Sequence, residues 1–328
     1  MRTTTWLVIG SVLTLGLAAA FYLHWGEHNS TLLLGLAGLS AFSLPALVGL
    51  WVVAWRSGLP IMRLAALGTA LVYLASFSSF GSIIGCGPDK VGQDAIVIYT
   101  HNVGGLTSET DSTETARQVA AEIVANGADI IVLQEVLTPF AQELALVDEL
   151  AEYRFRATEP SDTINMLIWS RWPLAETSVG PLVASDVSRN ALTTTVQSPQ
   201  GPFALRNIHL NAPLSAPSIG VWQRQLERLA VEAKTHSSGP LILAGDFNAT
   251  EDHTQFRRVL DAAFTDAHSV KGCGPDNTWP ASKPLLPPVL RLDHVLVTDH
   301  FQVRELRIGN PAGSDHRPVI SVLERRAN

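Results

Sequence analysis

The chain has 328 residues, of which 16% are charged, and a formal net charge of −7. Its mean hydropathy of +0.18 is high for a globular chain in water, and the apolar excess lies before residue 86. With no basic run, low-complexity tract or internal repeat, the composition argues against a protein that grips nucleic acid by non-specific backbone attraction.

Three apolar runs come first: Trp6–Tyr22, Thr31–Trp55 and roughly Leu64–Ile84. Each is long enough, or nearly so, to cross a bilayer. No Asp, Glu, Lys, Arg or His lies inside them. The expectation is therefore three transmembrane helices that serve as an anchor, without an ion or substrate pathway. Arg2 precedes the first run, Arg56 and Arg63 lie between the second and third, and the first link carries Glu27 with no Lys or Arg. This bias puts the N-terminus in the cytoplasm and everything after Ile84 outside, as a multi-pass cell-membrane protein. The first run also reads as a signal peptide, with Arg2, a short apolar core and Ala18–Ala20. Cleavage there leaves the C-terminal part outside all the same.

The chain divides into an anchor, 1–85, and a domain, 86–328, of ordinary single-domain size. Three basic residues and one acidic residue precede Cys86, which leaves the domain with 20 basic, 29 acidic and a net charge of −9. The two cysteines, Cys86 and Cys273, each sit in the tetrapeptide GCGP. Oxidising surroundings allow them to pair, and two free buried thiols are the alternative.

Within the domain, short apolar strands are expected at Ala95–His101, Ile130–Leu133, Asn165–Trp169, Ala191–Val196, Phe203–His209, Leu241–Ala244, Leu292–Val297, Gln302–Ile308 and Val319–Leu323. Ala116, Val119, Ala120, Ile123 and Val124 form the stripe of an amphipathic helix, stopped at Gly127. Further helices are expected at Pro139–Tyr153, Ser218–Thr235 and Gln255–Ala263. Many strands with helices between them suggest two packed sheets covered by helices.

The chemistry centres on Leu241–Thr250, LILAGDFNAT. A buried strand ends at Gly245, read here as a sharp turn, and Asp246 and Asn248 follow with one residue between them. A carboxylate and an amide projected into one cleft suit phosphate chemistry, whereas an ordinary Gly-Asp-Phe-Asn turn is the bland alternative. Other strand ends also carry polar residues that a plain core does not need. These are Asn102 in YTHNV, Glu135 in LQEV, Ser170 and Arg171 in IWSRWP, and His209 in RNIHLN. Asp293 in RLDHVLV and Asp315 and His316 in SDHRPV complete the set.

In that order and over most of Ala95–Leu323, these motifs resemble the endonuclease/exonuclease/phosphatase superfamily. It includes pancreatic-type deoxyribonucleases, abasic-site endonucleases, neutral sphingomyelinases and inositol-polyphosphate phosphatases. The resemblance implies an α/β fold, a four-layer sandwich with the site at one end of two sheets. It implies that Glu135 and Asn102 bind metal, with Asp315 alongside. Asp246 and Asn248 then position water and phosphate, and Asp293 orients His316. His209 matches a second histidine of the nuclease and sphingomyelinase branches. Hard oxygen ligands suit Mg²⁺ or Mn²⁺. In-line attack on a phosphoester needs an activated water, neutralised phosphoryl oxygens and a protonated leaving group, and either His316 or Asp246 can take the water's proton.

Two features depart from the family pattern. His294 follows Asp293 where many relatives have an aromatic, and strand alternation points His294, like His101, away from the site. A Pro-rich stretch between Cys273 and Arg291 carries Trp279, Leu285, Leu286, Val289 and Leu290 in place of a basic DNA-gripping insertion. These apolar residues either meet a membrane or acyl chain or cover the sheet edge. The resulting expectation is a membrane-anchored, extracytoplasmic, metal-dependent phosphoesterase acting on a phosphodiester, with a lipid or cell-envelope substrate favoured. An extracellular nuclease and a catalytically silent binding module are the alternatives, and no protein partner is inferable.

Overall fold

In the computed structural model the described residues are 89–326, apart from 93, 105–111, 160–163, 183–189, 237–238, 275 and 282–286, together with scattered residues between 52 and 67. The first expected span and nearly all of the other two lie outside the described residues. Among those described, no helix is long and apolar enough to cross a membrane.

Among the described residues, twelve strands form two six-stranded sheets. The first has the order β11-β12-β1-β2-β4-β3, from β1 (Ile96–Asn102), β2 (Ile130–Leu137), β3 (Phe155–Thr158), β4 (Ile164–Ser170), β11 (Phe301–Ile308) and β12 (Val319–Arg325). The second has the order β5-β6-β7-β8-β10-β9. Its strands are β5 (Leu174–Pro181), β6 (Asn190–Ser198), β7 (Gly201–His209), β8 (Leu241–Asp246), β9 (Thr265–Asp266) and β10 (Asp293–Val297). Each sheet has one central parallel pair, β1 with β2 and β7 with β8, and antiparallel neighbours.

Period-two alternation builds the layers. Ile96, Ile98, Ile130 and Val132 from one sheet meet Leu205, Ile242, Ala244 and Val295 from the other in a shared core. The opposite face of the first sheet buries Tyr99, Ile131 and Leu133 beneath α1 (Ser112–Ala125) and α2 (Thr138–Ala145). Ile208, Leu243 and Leu296 lie under α3 (Ala216–His236) and α4 (Thr254–Ala263), whose Trp222, Leu226, Phe256 and Val259 are fully buried. The order helix–sheet–sheet–helix is the expected four-layer sandwich.

Three local expectations change. The expected helix over Pro139–Tyr153 stops at Ala145 and resumes as a 3-10 turn, Asp148–Leu150. Leu144 and Leu150 both reach the core, and residues six apart point to different sides of a continuous α-helix. Gly245 does not turn the chain. It lies inside β8 opposite Ile208 at φ +144°, where a Cβ would collide with the Ile208 carbonyl. Ser170 and Arg171 lie at the other end of the sheet from Glu135, because Ser170 pairs with Ile130 at the start of β2. There Arg171 joins Asp129 and Glu152 in a surface ion pair.

A five-residue helix α5 (Ala267–Lys271) leads into a loop. Cys273 in that loop is disulfide-bonded. The only other cysteine of the chain is Cys86, outside the described residues.

Candidate active site

The carboxyl ends of both parallel pairs open at the same end of the sandwich, and the antiparallel β10 and β12 begin there. Asn102 closes β1, His209 closes β7, Asp246 closes β8, Asp293 opens β10, and His316 precedes β12. On β1, β7, β8 and β10 these residues share the inward face with the inter-sheet core, as alternation requires.

Glu135 is the exception. Alternation from Leu133 would send it under the helices, but the β2–β4 register breaks between Leu133 and Val136, and Glu135 takes φ +54°. A left-handed non-glycine residue costs roughly 1 kcal/mol or more, so the surrounding contacts must hold it there. The bulge turns the carboxylate into the cleft, where its Oε1 lies 3.2 Å from His209 Nε2 and 3.4 Å from Asn102 Nδ2.

Asp246 is the hub, and it is almost fully buried. Asn102 Nδ2 donates to its Oδ2 at 3.0 Å, and the Asn248 backbone N–H donates to its Oδ1 at 2.8 Å. His209 Nε2 and His316 Nε2 stand 3.8 and 4.0 Å from Oδ2. Asn248 sits at φ +48°, which asparagine tolerates, and its amide reaches Asp246 Oδ2 and the Leu210 carbonyl. Its side chain therefore holds Asp246 and the loop after β7. Asp293 Oδ2 accepts a 2.8 Å hydrogen bond from His316 Nδ1, which directs Nε2 toward Asp246.

Electrostatics follow from this packing. Burial alone would lower the pKa of His316, but the charge of Asp293, its hydrogen bond and the charges of Asp246 and Asp315 raise it to about 10. Burial, with Asp293 close by, raises Asp246, although His316 and His209 act against the rise. Burial would likewise raise Asp293, yet the His316 charge and hydrogen bond outweigh it and hold that carboxyl low. Asp293 thus favours the imidazolium form of His316, and Asp246 holds a proton more readily than a free carboxylate.

The two structural histidines behave as alternation predicts. His294 faces away, onto Asp266 at 2.8 Å and the Ala249 carbonyl. His101 lies behind the site, between the Tyr99 hydroxyl and the His316 carbonyl, and burial depresses its pKa to about 4.

Asp315 is placed differently from the other expected residues. Its carboxylate accepts from Trp279 Nε1 at 3.2 Å and its carbonyl from Ala281 N at 2.7 Å, so it holds the start of the Pro-rich loop. It is not one of the three residues (Asp246, Asp293 and His316) whose ligand-type atoms gather within 4.8 Å. Val289 is buried and Trp279 bridges to Leu290, so the described part of this loop folds back on itself. Leu285 and Leu286 lie outside the described residues.

Two helpers went unread in the sequence. Ser314 Oγ accepts from His316 N and donates to the Asn102 carbonyl, and Thr278 Oγ1 accepts from the Leu292 and Asp293 N–H groups. Ser314 opens the SDH motif but reads equally as a turn residue, and a lone threonine in a loop carries no pattern.

The donor set fits a hard divalent cation. Glu135 Oε2 and Asn102 Oδ1 converge over Gly104, where a Cβ would collide with the first and press on the second. Oxygen donors with Asp246 beside them match the preferences of Mg²⁺ or Mn²⁺.

The model of the Endonuclease/Exonuclease/phosphatase family matches residues 99–316, well over half the chain. The chain belongs to the endonuclease/exonuclease/phosphatase family. Its members include phosphoesterases and nucleases. Among curated proteins, none matches the chain. Similar solved structures include an endonuclease/exonuclease/phosphatase from Beutenbergia cavernae, 20% identical over 71% of this chain and 72% of that one, TM-score 0.55. Another is D. rerio TDP2 complexed with a single-strand DNA product, 20% identical over 71% of this chain and all of that one, TM-score 0.58. A third is the mannosyl-6-phosphatase of Bacteroides thetaiotaomicron, 17% identical over 70% and 99%, TM-score 0.57. At these identities the family's shared property is the fold, and substrates vary among its members.

Proposed function

We propose that this family member is a divalent-metal-dependent phosphodiesterase, anchored in the cell membrane with its catalytic domain on the outer side. The observation that carries the chemistry is the convergence of Glu135, Asn102, His209 and Asp246 with the Asp293–His316 pair at one end of both sheets. A silent binding module has no need for this set, least of all for a strained Glu135.

Asn102 and the Asn248 backbone hold Asp246 so that Oδ2 faces the cleft, where it takes the proton of an attacking water. The water oxygen bonds to phosphorus in line with the leaving oxygen, and the P–O bond to that oxygen breaks. His316, kept as an imidazolium by Asp293, donates its Nε2 proton to the leaving alkoxide. His209 Nε2, beside Glu135 and Asp246, lines the space where phosphoryl oxygens gain charge. Glu135 and Asn102 would hold Mg²⁺ or Mn²⁺, which when bound neutralises charge on the phosphoryl oxygens.

The anchor rests on the three uncharged apolar runs and on Arg2, Arg56 and Arg63. An outward domain agrees with a bonded Cys273. Tethering favours a phosphodiester in a lipid or cell-envelope molecule, and a domain charge of −9 weighs against DNA as the main substrate. The test is a screen of the full-length protein with Mn²⁺ against phospholipids, simple diesters, monoesters and DNA. DNA cleavage above all diesters would favour the nuclease reading. A reporter that fluoresces only in the cytoplasm, fused after Asn328, should stay dark, and bright fluorescence would refute the topology.

A further inference from the structure

We propose that Asn207 is a positioning residue that holds the Glu135 bulge from the opposite sheet, and so sets the metal-binding geometry. Asn207 lies on β7 two residues before His209, fully buried between the sheets. Its Nδ2 donates to two carbonyls at once, Leu133 at 2.8 Å and Leu167 at 3.0 Å. These two residues form the last paired rung of β2 and β4 before the register breaks. Its Oδ1 accepts from Gln134 Nε2 at 2.8 Å, and Gln134 is the first residue inside the break. Gln134 in turn donates to Thr100 Oγ1 on β1, while its carbonyl accepts from Val103 N just past Asn102.

The amide orientation is forced. Nδ2 serves the two carbonyl oxygens, which leaves Oδ1 to accept from Gln134 Nε2. One side chain from the second sheet thus grips both strands that flank the irregularity, and the residue that begins it. Glu135 has left-handed backbone geometry that alternation would not give. The same strand carries His209, so the grip also fixes the 3.2 Å approach of His209 to Glu135. An aspartate would lose both donors and bury a charge, and a leucine of similar shape would remove all three hydrogen bonds of the side chain.

The inference rests on the reading of Glu135 as a metal ligand, and two measurements keep the two apart. In the full-length chain, Asn207→Leu should weaken Mn²⁺ binding by roughly 10–100-fold in titration calorimetry, the range for lost ligand-orienting partners. A merely structural role would lower the melting temperature and leave the affinity of the folded protein unchanged. A crystal structure of the metal-free variant should show Glu135 withdrawn from His209. Should Asn207→Leu fail to fold, Gln134→Met removes one contact of the same grip and should weaken Mn²⁺ binding at least fivefold. Affinity within twofold of wild type in a folded variant, with Glu135 still against His209, overturns the proposal. If the wild type binds no Mn²⁺, the metal reading fails, and the position of Glu135 in the variant crystal still decides the role of Asn207.

Discussion

Replacing Asp293 with asparagine tests the charge arrangement of the site most sharply. The change keeps the shape but takes the negative charge away from His316, whose Nδ1 lies 2.8 Å from Asp293 Oδ2. Raising a histidine from 6.5 to about 10 corresponds to about 5 kcal/mol at about 1.4 kcal/mol per pH unit. Asp246 and Asp315 supply part of this and remain, so the expected loss is about 3–4 kcal/mol, within the range for a broken buried pair. The sign sets a window. A group raised in the folded state contributes fully below its unfolded value of 6.5, and the contribution fades as pH rises through about 10. Asp293 is held below its usual 3.8, so its share is present above that value and is lost as pH falls through its folded pKa. The difference between wild type and Asp293→Asn, from urea unfolding in excess chelator, should be greatest between about pH 4 and 7 and shrink toward pH 10. The His316 ring signals in NMR should titrate near 10 in the wild type and far lower in the variant. A loss under about 1 kcal/mol, equal at pH 6 and 10, would refute this electrostatic reasoning.

Two further predictions follow from other buried groups. His101 is kept neutral by burial, with a pKa near 4 against 6.5 unfolded, so its contribution is full above 6.5 and is lost as pH falls through 4. Acid should therefore remove about 3 kcal/mol across that interval, and His101→Phe should flatten the slope in urea titrations at pH 7, 5.5 and 4. Gly245→Ala drives a Cβ into the Ile208 carbonyl at a φ that L-residues avoid, and should cost at least about 3 kcal/mol or prevent folding. A variant that melts within a degree or two of wild type would show that β7 and β8 separate easily.

Much of the site was legible because β-strands alternate. Asn102, His209, Asp246 and Asp293 all lie on inward positions of strands whose apolar residues announce the inter-sheet core, and the same rule sent His101 and His294 outward. Glu135 reaches the cleft by a route that the sequence does not show. It is not a strand end, and only the bulge reverses its direction. No local signal in LQEV marks that bulge, since the residue holding it, Asn207, is more than seventy positions away. Three edge strands leave no signal in the sequence: β9 has only two residues, and β3 and β5 fail for a different reason. Most of β3 and β5 is exposed or only partly buried, so neither carries the apolar alternation that burial on one face imprints. Arg171 was grouped with the site because it follows a strand, although that strand runs antiparallel to β2 and ends at the far side. Sequence marks the ends of strands without saying at which end of the sheet they emerge.

The most direct test of the central claim is hydrolysis of bis-p-nitrophenyl phosphate by the full-length protein, with Mn²⁺ or in excess chelator, beside Asp246→Asn and Glu135→Ala. Phosphodiester cleavage should appear with Mn²⁺, vanish in chelator and return when Mn²⁺ is added back. Each variant should lose on the order of 10²–10⁴-fold in rate while keeping the wild-type circular dichroism spectrum. Combining the two should cost little beyond the worse single change, because both residues serve one step. Undiminished hydrolysis in chelator, or an Asp246→Asn enzyme within a few-fold of wild type, would contradict a metal-dependent phosphodiesterase built on these residues.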